Sequence, residues 1–158
     1  MSVEAVKEYL ARWKRDGDII ELPQSTATVT EAARSLGVEG ARIAKSISLK
    51  KGGGAMLVVT AGDTKVDNRK FKERFGIKAS MLSADEALRF TGHAVGGVCP
   101  FALPEDVEVY LDLSLKRFAS VFPACGSGNS AIELGMDELN EYSNNRGWVD
   151  VCKEVLRD

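Results

Sequence analysis

The central stretch of the chain, Gly92-His93-Ala94-Val95-Gly96-Gly97-Val98-Cys99-Pro100-Phe101-Ala102-Leu103-Pro104, combines three glycines with two prolines. Glycine allows positive φ and a close approach to the main chain, whereas proline fixes φ. An apolar loop of this kind makes a poor linker, because linkers are usually polar. We interpret it as a rigid backbone wall against which a small ligand is held. A buried strand followed by a tight turn, without a ligand, is the alternative.

A second glycine loop, Pro123-Ala124-Cys125-Gly126-Ser127-Gly128-Asn129-Ser130, lies further along the chain. It precedes a predicted strand at residues 131–134 rather than a helix, so it does not match the dinucleotide-binding fingerprint. Together the two loops offer backbone N–H groups beside small hydroxyl and amide side chains. This equipment suits the binding of a small polar group and the stabilisation of an oxyanion.

Upstream of both loops, residues 43–49 alternate in the manner of a strand. Lys45 shares the apolar face of this strand with Ile43, Ile47 and Leu49, and the glycines at 52–54 then turn the chain into a second strand at 55–60. Because a bare buried ammonium is costly, this lysine must reach solvent or meet a partner. We predict that Lys45 points into a pocket, towards a carbonyl, carboxylate or phosphate. A bulge or edge position that returns it to water is the alternative.

The remaining elements interleave irregularly. Helices are predicted at residues 3–15, at 31–36 after an N-cap at Thr30, at 69–75 after Asp67 or Asn68, at 84–90 after a capping box of Ser83 and Glu86, and at 136–142. Further strands are predicted at 19–22, 78–82, 107–111, 120–122 and 148–152. Hairpin-length links between them favour an α+β fold with a mixed, largely antiparallel sheet.

The composition, 44% hydrophobic and 28% charged over 158 residues, predicts one ordinary globular domain spanning residues 1–158. The net charge of −2 conceals a basic segment, because ten basic and only three acidic residues lie between Arg42 and Lys78. This segment is either an electrostatic footprint for phosphates or a solvated surface. Short apolar runs and an N-terminus unlike a signal peptide predict a cytoplasmic protein with no membrane association.

Several chemistries have no support in the sequence. His93 is the single histidine and no CxxC pair exists, so we predict no metal and no cofactor. The phosphate-loop pattern and the nucleophile elbow are absent. A thiol nucleophile at Cys99 or Cys125 is conceivable, although buried cysteine is more often inert packing. The sequence therefore offers no strong general base. This favours a substrate whose bond is already activated, such as an ester.

Three segments together resemble the YbaK/EbsC family of aminoacyl-tRNA deacylases, which is related to the editing insertion of bacterial prolyl-tRNA synthetase. They are Ala44-Lys45-Ser46, the stretch from Gly92 to Phe101, and Cys125-Gly126-Ser127-Gly128-Asn129-Ser130-Ala131-Ile132-Glu133-Leu134. The resemblance covers roughly residues 20 to 142. It implies a compact, barrel-like mixed sheet with flanking helices, and hydrolysis of mischarged tRNA in trans. The second loop departs from the family, where many members carry a more basic Gly-x-Arg-Gly.

The resemblance also implies a site. Lys45, Gly96 and Gly97 are the predicted catalytic positions, with the loop amides holding the carbonyl oxygen as it becomes anionic. The predicted substrate-binding residues are Thr26, Thr28, His93, Pro100, Gly126, Ser127, Gly128, Asn129 and Ser130. For Thr26 and Thr28, which precede the second helix, ordinary loop and cap hydroxyls are the alternative. The expected partners are aminoacyl-tRNA, of the tRNA(Pro) type bearing a small amino acid, and an aminoacyl-tRNA synthetase. A non-catalytic tRNA- or synthetase-binding module of the same fold is the alternative.

Overall fold

Five α-helices flank a curled, half-barrel sheet in the computed structural model, which describes residues 2–155. The helices are α1 (Ser2–Leu10), α2 (Val29–Leu36), α3 (Asn68–Phe75), α4 (Ala84–Thr91) and α5 (Met136–Tyr142). The strands are β1 (Ile20–Glu21), β2 (Ile43–Lys51), β3 (Gly54–Ala61), β4 (Thr64–Val66), β5 (Glu108–Asp112), β6 (Ser120–Pro123), β7 (Ser130–Ala131), β8 (Leu134–Gly135), β9 (Trp148–Val149) and β10 (Cys152–Glu154). The predicted α+β class is confirmed.

The central sheet has six strands in the order β8-β6-β2-β3-β5-β9. The long β2–β3 hairpin and the β6–β8 pair are antiparallel, whereas β2–β6, β3–β5 and β5–β9 are parallel. Two further antiparallel pairs, β1–β7 and β4–β10, lie outside this sheet. The sheet is therefore mixed, as predicted. A short turn joins the antiparallel strands β2 and β3, whereas long stretches of chain separate the strands of each parallel pair, because parallel pairs need long crossovers.

Helices cover both faces of the central sheet. The main core joins Leu57 and Val59 of β3 to α1 and α5 on one face. A second cluster joins Met56 and Val58 of the same strand to Phe71 of α3 on the other face. The strand is therefore apolar throughout, because both of its faces are buried.

Local capping explains where the helices begin and end. Asp67 accepts two backbone N–H groups at the start of α3, and Ser83 with Glu86 forms the predicted capping box of α4. The prediction for α2 was two residues off, because the N-cap is Thr28, whose Oγ1 accepts the N–H of Glu31 at 3.1 Å. Gly37 ends that helix in the left-handed conformation, as expected.

Four sequence predictions need correction. The first helix ends at Leu10 and continues as a 3-10 turn, which itself ends at Lys14, in a left-handed conformation, ahead of Gly17. Residues 78–82 form no strand and make one isolated bridge, Leu49 to Met81. The strands predicted at 131–134 and 148–152 are each divided into two shorter ones.

Among residues 2–155, no helix is long and apolar enough to span a membrane.

Candidate active site

A cavity of about 700 Å³ lies along β2. It arises because α2 and α3 pack on the same side of the sheet at opposite ends of this strand. The α2 cluster contains Ile43, and the α3 cluster contains Ile47 and Leu49. Between the two clusters the strand presents Lys45, which lines the cavity. The prediction that Lys45 shares one face of the strand with Ile43, Ile47 and Leu49 is therefore confirmed.

Lys45 is half-buried, and its Nζ donates a hydrogen bond to the backbone carbonyl of Thr64 at 3.2 Å. The hydroxyl of Thr64 is buried and donates to the carbonyl of Ala61 at 2.8 Å. Thr60, opposite Lys45 in the hairpin, bonds in turn to the hydroxyl of Ser114 at 3.0 Å. This hydroxyl network fixes the turn between β3 and β4, and thereby the carbonyl that holds the lysine.

The buried hydroxyl of Thr26, which is 7% exposed, lies in the cavity wall and has no hydrogen-bond partner within the described residues. The hydroxyl of Ser46 has none either, but the alternation of β2 places it on the opposite face of the strand from Lys45. Leaving a buried hydroxyl unsatisfied costs about 1–3 kcal/mol by mutational measurements. Such groups call for an explanation, and for Thr26 a ligand in the cavity that bonds to the hydroxyl supplies one.

The first glycine loop contributes Val95, Gly96 and Val98 to the wall. Gly96 has a φ of 94°, and a Cβ added there would lie 2.9 Å from the Cβ of Ala27. Gly97 lies behind it, and its N–H already donates to the carbonyl of Ala94 at 2.9 Å. Of the two predicted oxyanion donors, the amide of Gly97 is therefore already hydrogen-bonded within the loop. Gly96 is the one that lines the cavity.

The second glycine loop supports the wall from behind. The N–H of Leu22 donates to the carbonyl of Asn129 at 2.9 Å, and that of Thr26 donates to the carbonyl of Gly128 at 2.7 Å. The side-chain amide of Asn129 returns a bond to the carbonyl of Leu22 at 2.9 Å. Ser127 bonds to its neighbours within the loop, and Ser130 lines the cavity. The loop therefore positions Thr26.

His93 and Pro100 lie in the interior, behind the first loop. His93 is 1% exposed, and its Nε2 lies 2.8 Å from the carbonyl of Phe101. Burial lowers the pKa of His93, so the imidazole is held neutral. This arrangement ties the two ends of the loop together. Pro100 is also buried, and neither residue lines the cavity.

The predicted site residues therefore divide into two groups. Lys45, Gly96, Thr26, Thr28 and Ser130 line one cavity. The other seven predicted positions stand behind the wall: Gly97, His93, Pro100, Gly126, Ser127, Gly128 and Asn129. Their backbone and side-chain groups hold the loops rather than face the cavity.

The two loop cysteines offer no reactive thiolate. Cys99 and Cys125 are fully buried and do not line the cavity. Burial raises the pKa of the Cys99 thiol to about 12, and it raises the pKa of Cys125 as well. Since the thiolate is the nucleophile, the thiol-dependent alternative does not fit this geometry.

The end of the cavity below α2 is apolar. Val29, Ala32, Ile43 and Phe122 are buried and form one cluster at its wall. The guanidinium of Arg42 lies 5.1 Å from the centre of the Phe122 ring and bonds to Ser120, which holds this wall in place. Sequence reasoning missed these wall residues, because they come from three separate elements and any one of them is ordinary core.

Much of the predicted basic segment is paired. Arg42 meets Glu133, Lys51 meets Glu108, Arg69 meets Glu73 and Lys70 meets Asp150. Lys65 differs, because it is exposed and lies at the rim of the cavity. The segment is therefore less of a continuous phosphate footprint than its sequence indicates.

The cavity brings together the ammonium of Lys45, the unsatisfied hydroxyl of Thr26 and a glycine loop, and the ammonium of Lys65 lies at its rim. Within the described chain, its lining residues include no carboxylate, imidazole or thiol. The arrangement can bind and polarise a carbonyl group, but it supplies no strong general base of its own. An ester, which is already activated, is a bond that such a site can cleave.

Residues 23–142 match the model of the aminoacyl-tRNA editing domain family, and the chain belongs to that family. Uncharacterized protein YwhH of Bacillus subtilis is 54% identical over 98% of this chain and 99% of that protein. EbsC of Enterococcus faecalis, named as a candidate Cys-tRNA(Pro)/Cys-tRNA(Cys) deacylase, is 24% identical over 94% and 86%. A crystal structure of a candidate trans-editing enzyme for prolyl tRNA synthetase superimposes with a TM-score of 0.85 at 27% identity, covering 96% and 97%. The predicted YbaK/EbsC resemblance is confirmed.

Proposed function

We propose that this protein is a trans-editing hydrolase that removes a small amino acid from mischarged tRNA of the tRNA(Pro) type. Family membership supports an aminoacyl-tRNA deacylase role, and the names of two similar proteins refer to tRNA(Pro) and to prolyl tRNA synthetase. We further propose that residues 1–158 act as one editing domain, in the cytoplasm and in association with a synthetase.

The observation that carries the proposal is a single cavity lined by Lys45, by the apolar wall below α2 and by the unsatisfied hydroxyl of Thr26. An aminoacyl ester needs all three features. Its small side chain enters the apolar end, its α-amino group bonds to the hydroxyl of Thr26, and its carbonyl lies beside Lys45 and the glycine loop at Gly96.

In the reaction, the oxygen of a water molecule attacks the ester carbonyl, while a substrate hydroxyl or a second water molecule relays the proton that this water loses. The carbonyl oxygen becomes anionic and is stabilised by the ammonium of Lys45 and the amide of Gly96. The intermediate then collapses, the bond to the ribose oxygen breaks, and that oxygen takes up a proton as the tRNA leaves. With water as nucleophile, the amino acid departs as a carboxylate.

The test is deacylation of alanyl-, cysteinyl-, seryl- and prolyl-tRNA by the wild-type protein and by Lys45→Ala. We expect release from at least one mischarged tRNA, and a loss of about 10²–10³ in rate for the variant, as for removal of an oxyanion donor. Lys7→Ala is the matched control, because Lys7 lies on α1 and pairs with Glu21 away from the cavity.

The second candidate function is a non-catalytic module that binds charged tRNA or a synthetase. The lack of a carboxylate or imidazole among the described cavity-lining residues favours it. It predicts tight binding of aminoacyl-tRNA without turnover. Release of no amino acid from any of the four charged tRNAs would overturn the first candidate and leave this one.

A further inference from the structure

A row of polar side chains crosses the largely apolar face of the sheet that carries Lys45. Lys45 of β2 lies directly opposite Thr60 of β3, so the two side chains share one face. Strand β5 runs parallel to β3, and Asp112 lies one residue beyond the last pair of these strands, Val59 with Leu111. Asp112 is therefore the next member of the row after Thr60. Because neighbouring strands lie about 4.8 Å apart, the row spans roughly 10 Å of sheet.

Asp112 is a buried carboxylate that the proposed reaction does not use. It is 2% exposed, and each of its oxygens accepts one backbone N–H group at 3.0 Å, from Ser114 and from Val151. Burial of a charge is costly unless hydrogen bonds compensate for it, so this position is a demanding one for a carboxylate. The bond from Ser114 fixes the start of the 3-10 helix at Leu113–Arg117.

Ser114 begins a chain of hydroxyl groups whose hydrogens all point the same way. Its Oγ accepts the N–H of Ala61 at 3.2 Å and lies 3.0 Å from Oγ1 of Thr60, which in turn contacts Oγ1 of Thr64. Thr64 donates its single hydroxyl hydrogen to the carbonyl of Ala61 at 2.8 Å. Thr60 must therefore donate to Thr64, and Ser114 must donate to Thr60. Removing the Ser114 hydroxyl would take away both the acceptor of the Ala61 N–H and the donor to Thr60.

The hydroxyl chain ends at the turn that holds Lys45. The backbone carbonyl of Thr64 accepts the hydrogen bond from Nζ of Lys45 at 3.2 Å. On its other side the turn is packed tightly, because a Cβ added at Gly62 would lie 2.1 Å from the carbonyl oxygen of Gly40. The turn is thus held between that backbone and the hydroxyl chain. Weakening the chain frees the Thr64 carbonyl to shift.

We propose that Asp112 is a positioning residue for deacylation, which acts through the hydroxyls of Ser114 and Thr60 to set the carbonyl that holds the ammonium of Lys45. This inference rests on the proposed function. Asp112 does not line the cavity, and its contribution is to place Lys45 where the carbonyl oxygen becomes anionic. A displaced lysine loses contact with the transition state, whereas other residues still bind the tRNA.

The first test measures kcat and KM for deacylation by Asp112→Asn and by Ser114→Ala. Asparagine has the shape of aspartate but only one acceptor oxygen, so it cannot satisfy the N–H groups of both Ser114 and Val151. We expect kcat to fall about tenfold in each variant with KM unchanged, since a misplacement of about 1 Å can cost up to about 10²-fold. A raised KM with wild-type kcat would contradict the proposal.

Ser83→Ala is the matched control for Ser114→Ala. The hydroxyl of Ser83 also accepts one backbone N–H at 3.2 Å, from Glu86, and Ser83 does not line the cavity. The two variants should lower the urea midpoint of unfolding by similar amounts, while only Ser114→Ala lowers kcat. At Thr60, which is fully buried, the serine variant keeps the hydroxyl and should retain wild-type kcat, whereas the valine variant should not.

A double-mutant cycle with Lys45 separates positioning from a general loss of structure. In the Lys45→Ala protein no ammonium remains to be positioned, so adding Ser114→Ala should change the residual rate by less than about twofold. An equal, tenfold loss in both backgrounds would overturn the proposal. So would equal losses of kcat in Ser83→Ala and Ser114→Ala.

A spectroscopic readout that needs no turnover keeps this proposal separate from the proposed function. The NMR resonance of the Lys45 Cε–H group, assigned by its absence from Lys45→Ala, should shift in Asp112→Asn and Ser114→Ala but not in Ser83→Ala. The resonance of Lys7, which pairs with Glu21 on the surface, should stay in place throughout. An unmoved Lys45 resonance would overturn the positioning role. The proposed function fails only if the wild-type protein deacylates none of the charged tRNAs.

Discussion

The two glycine loops look alike in sequence but serve the site in different ways. Each carries a buried cysteine and several glycines, and each leads towards a strand. The first loop supplies part of the cavity wall through Val95, Gly96 and Val98. The second reaches the cavity only through its ends and instead bonds to residues 22–26 behind the wall. In the first loop, Gly96 therefore forms part of the cavity wall, and Gly97 lies where the two loops pack together.

The largest effect should come from separating the loops where they touch. A Cβ at Gly97 would lie 2.5 Å from the backbone of Gly126 and of Ser127, and neither backbone can move without shifting a loop. We expect Gly97→Ala to lower the free energy of unfolding by about 3 kcal/mol, the upper part of the usual range for overpacking.

Gly128→Ala is the matched control for this variant. Its Cβ would meet the Cβ of Ala27 at 3.7 Å, an ordinary contact, and we expect little change. Urea denaturation measures both variants. Equal stability of the two would show that the loops are not wedged together at Gly97.

The next effect concerns the support that the second loop gives to the wall. Asn129→Ala removes the side-chain bond to the carbonyl of Leu22, at a cost of about 1 kcal/mol for a typical hydrogen bond. Because that bond holds the segment that carries Thr26, we expect faster hydrogen exchange at the amides of Leu22 and Thr26. Unchanged exchange at both amides would assign Asn129 to the surface rather than to the support of the site.

A third test compares two hydroxyls, that of Thr26, which we expect to bind a ligand, and that of Thr28, which caps a helix. Thr26→Val removes an unsatisfied hydroxyl, so stability should hold or rise slightly while deacylation falls. Thr28→Val removes the N-cap of α2, at a cost of about 1 kcal/mol. Thermal melting and deacylation on both variants make the comparison. Wild-type turnover by a folded Thr26→Val protein would remove this hydroxyl from the site.

The smallest expected effect is on the pH dependence of stability, and it comes from His93, which is buried behind the first loop. Burial lowers the pKa of His93 below its ordinary value of 6.5, so the unfolded chain binds a proton more readily than the folded one. The stability from this residue is therefore complete above about pH 6.5 and is lost as the pH falls towards the lowered pKa. Replacing it by glutamine should flatten the dependence of unfolding free energy on pH between 7 and 5.5. If the unfolding free energy has the same slope against pH in both proteins, a group other than His93 causes the pH dependence.

Local chemistry in the sequence determined much of the architecture. The alternation at residues 43–49 predicted the hairpin strand and the face of Lys45, and the capping residues predicted α3 and α4. The resemblance in the glycine loops led to the family. These signals are short-range, since each depends on a few neighbouring residues and on backbone preferences that act before the chain folds.

The tertiary structure decided which of the candidate residues reach the cavity. Gly97, His93 and Asn129 stand behind the wall, whereas Phe122 and Met81, which the motifs did not single out, form part of it. No sequence periodicity encodes this difference, because the cavity is the gap that remains when α2 and α3 pack on one side of the same strand. Its lining depends on contacts between residues far apart in the chain, and those contacts are fixed only when the helices dock.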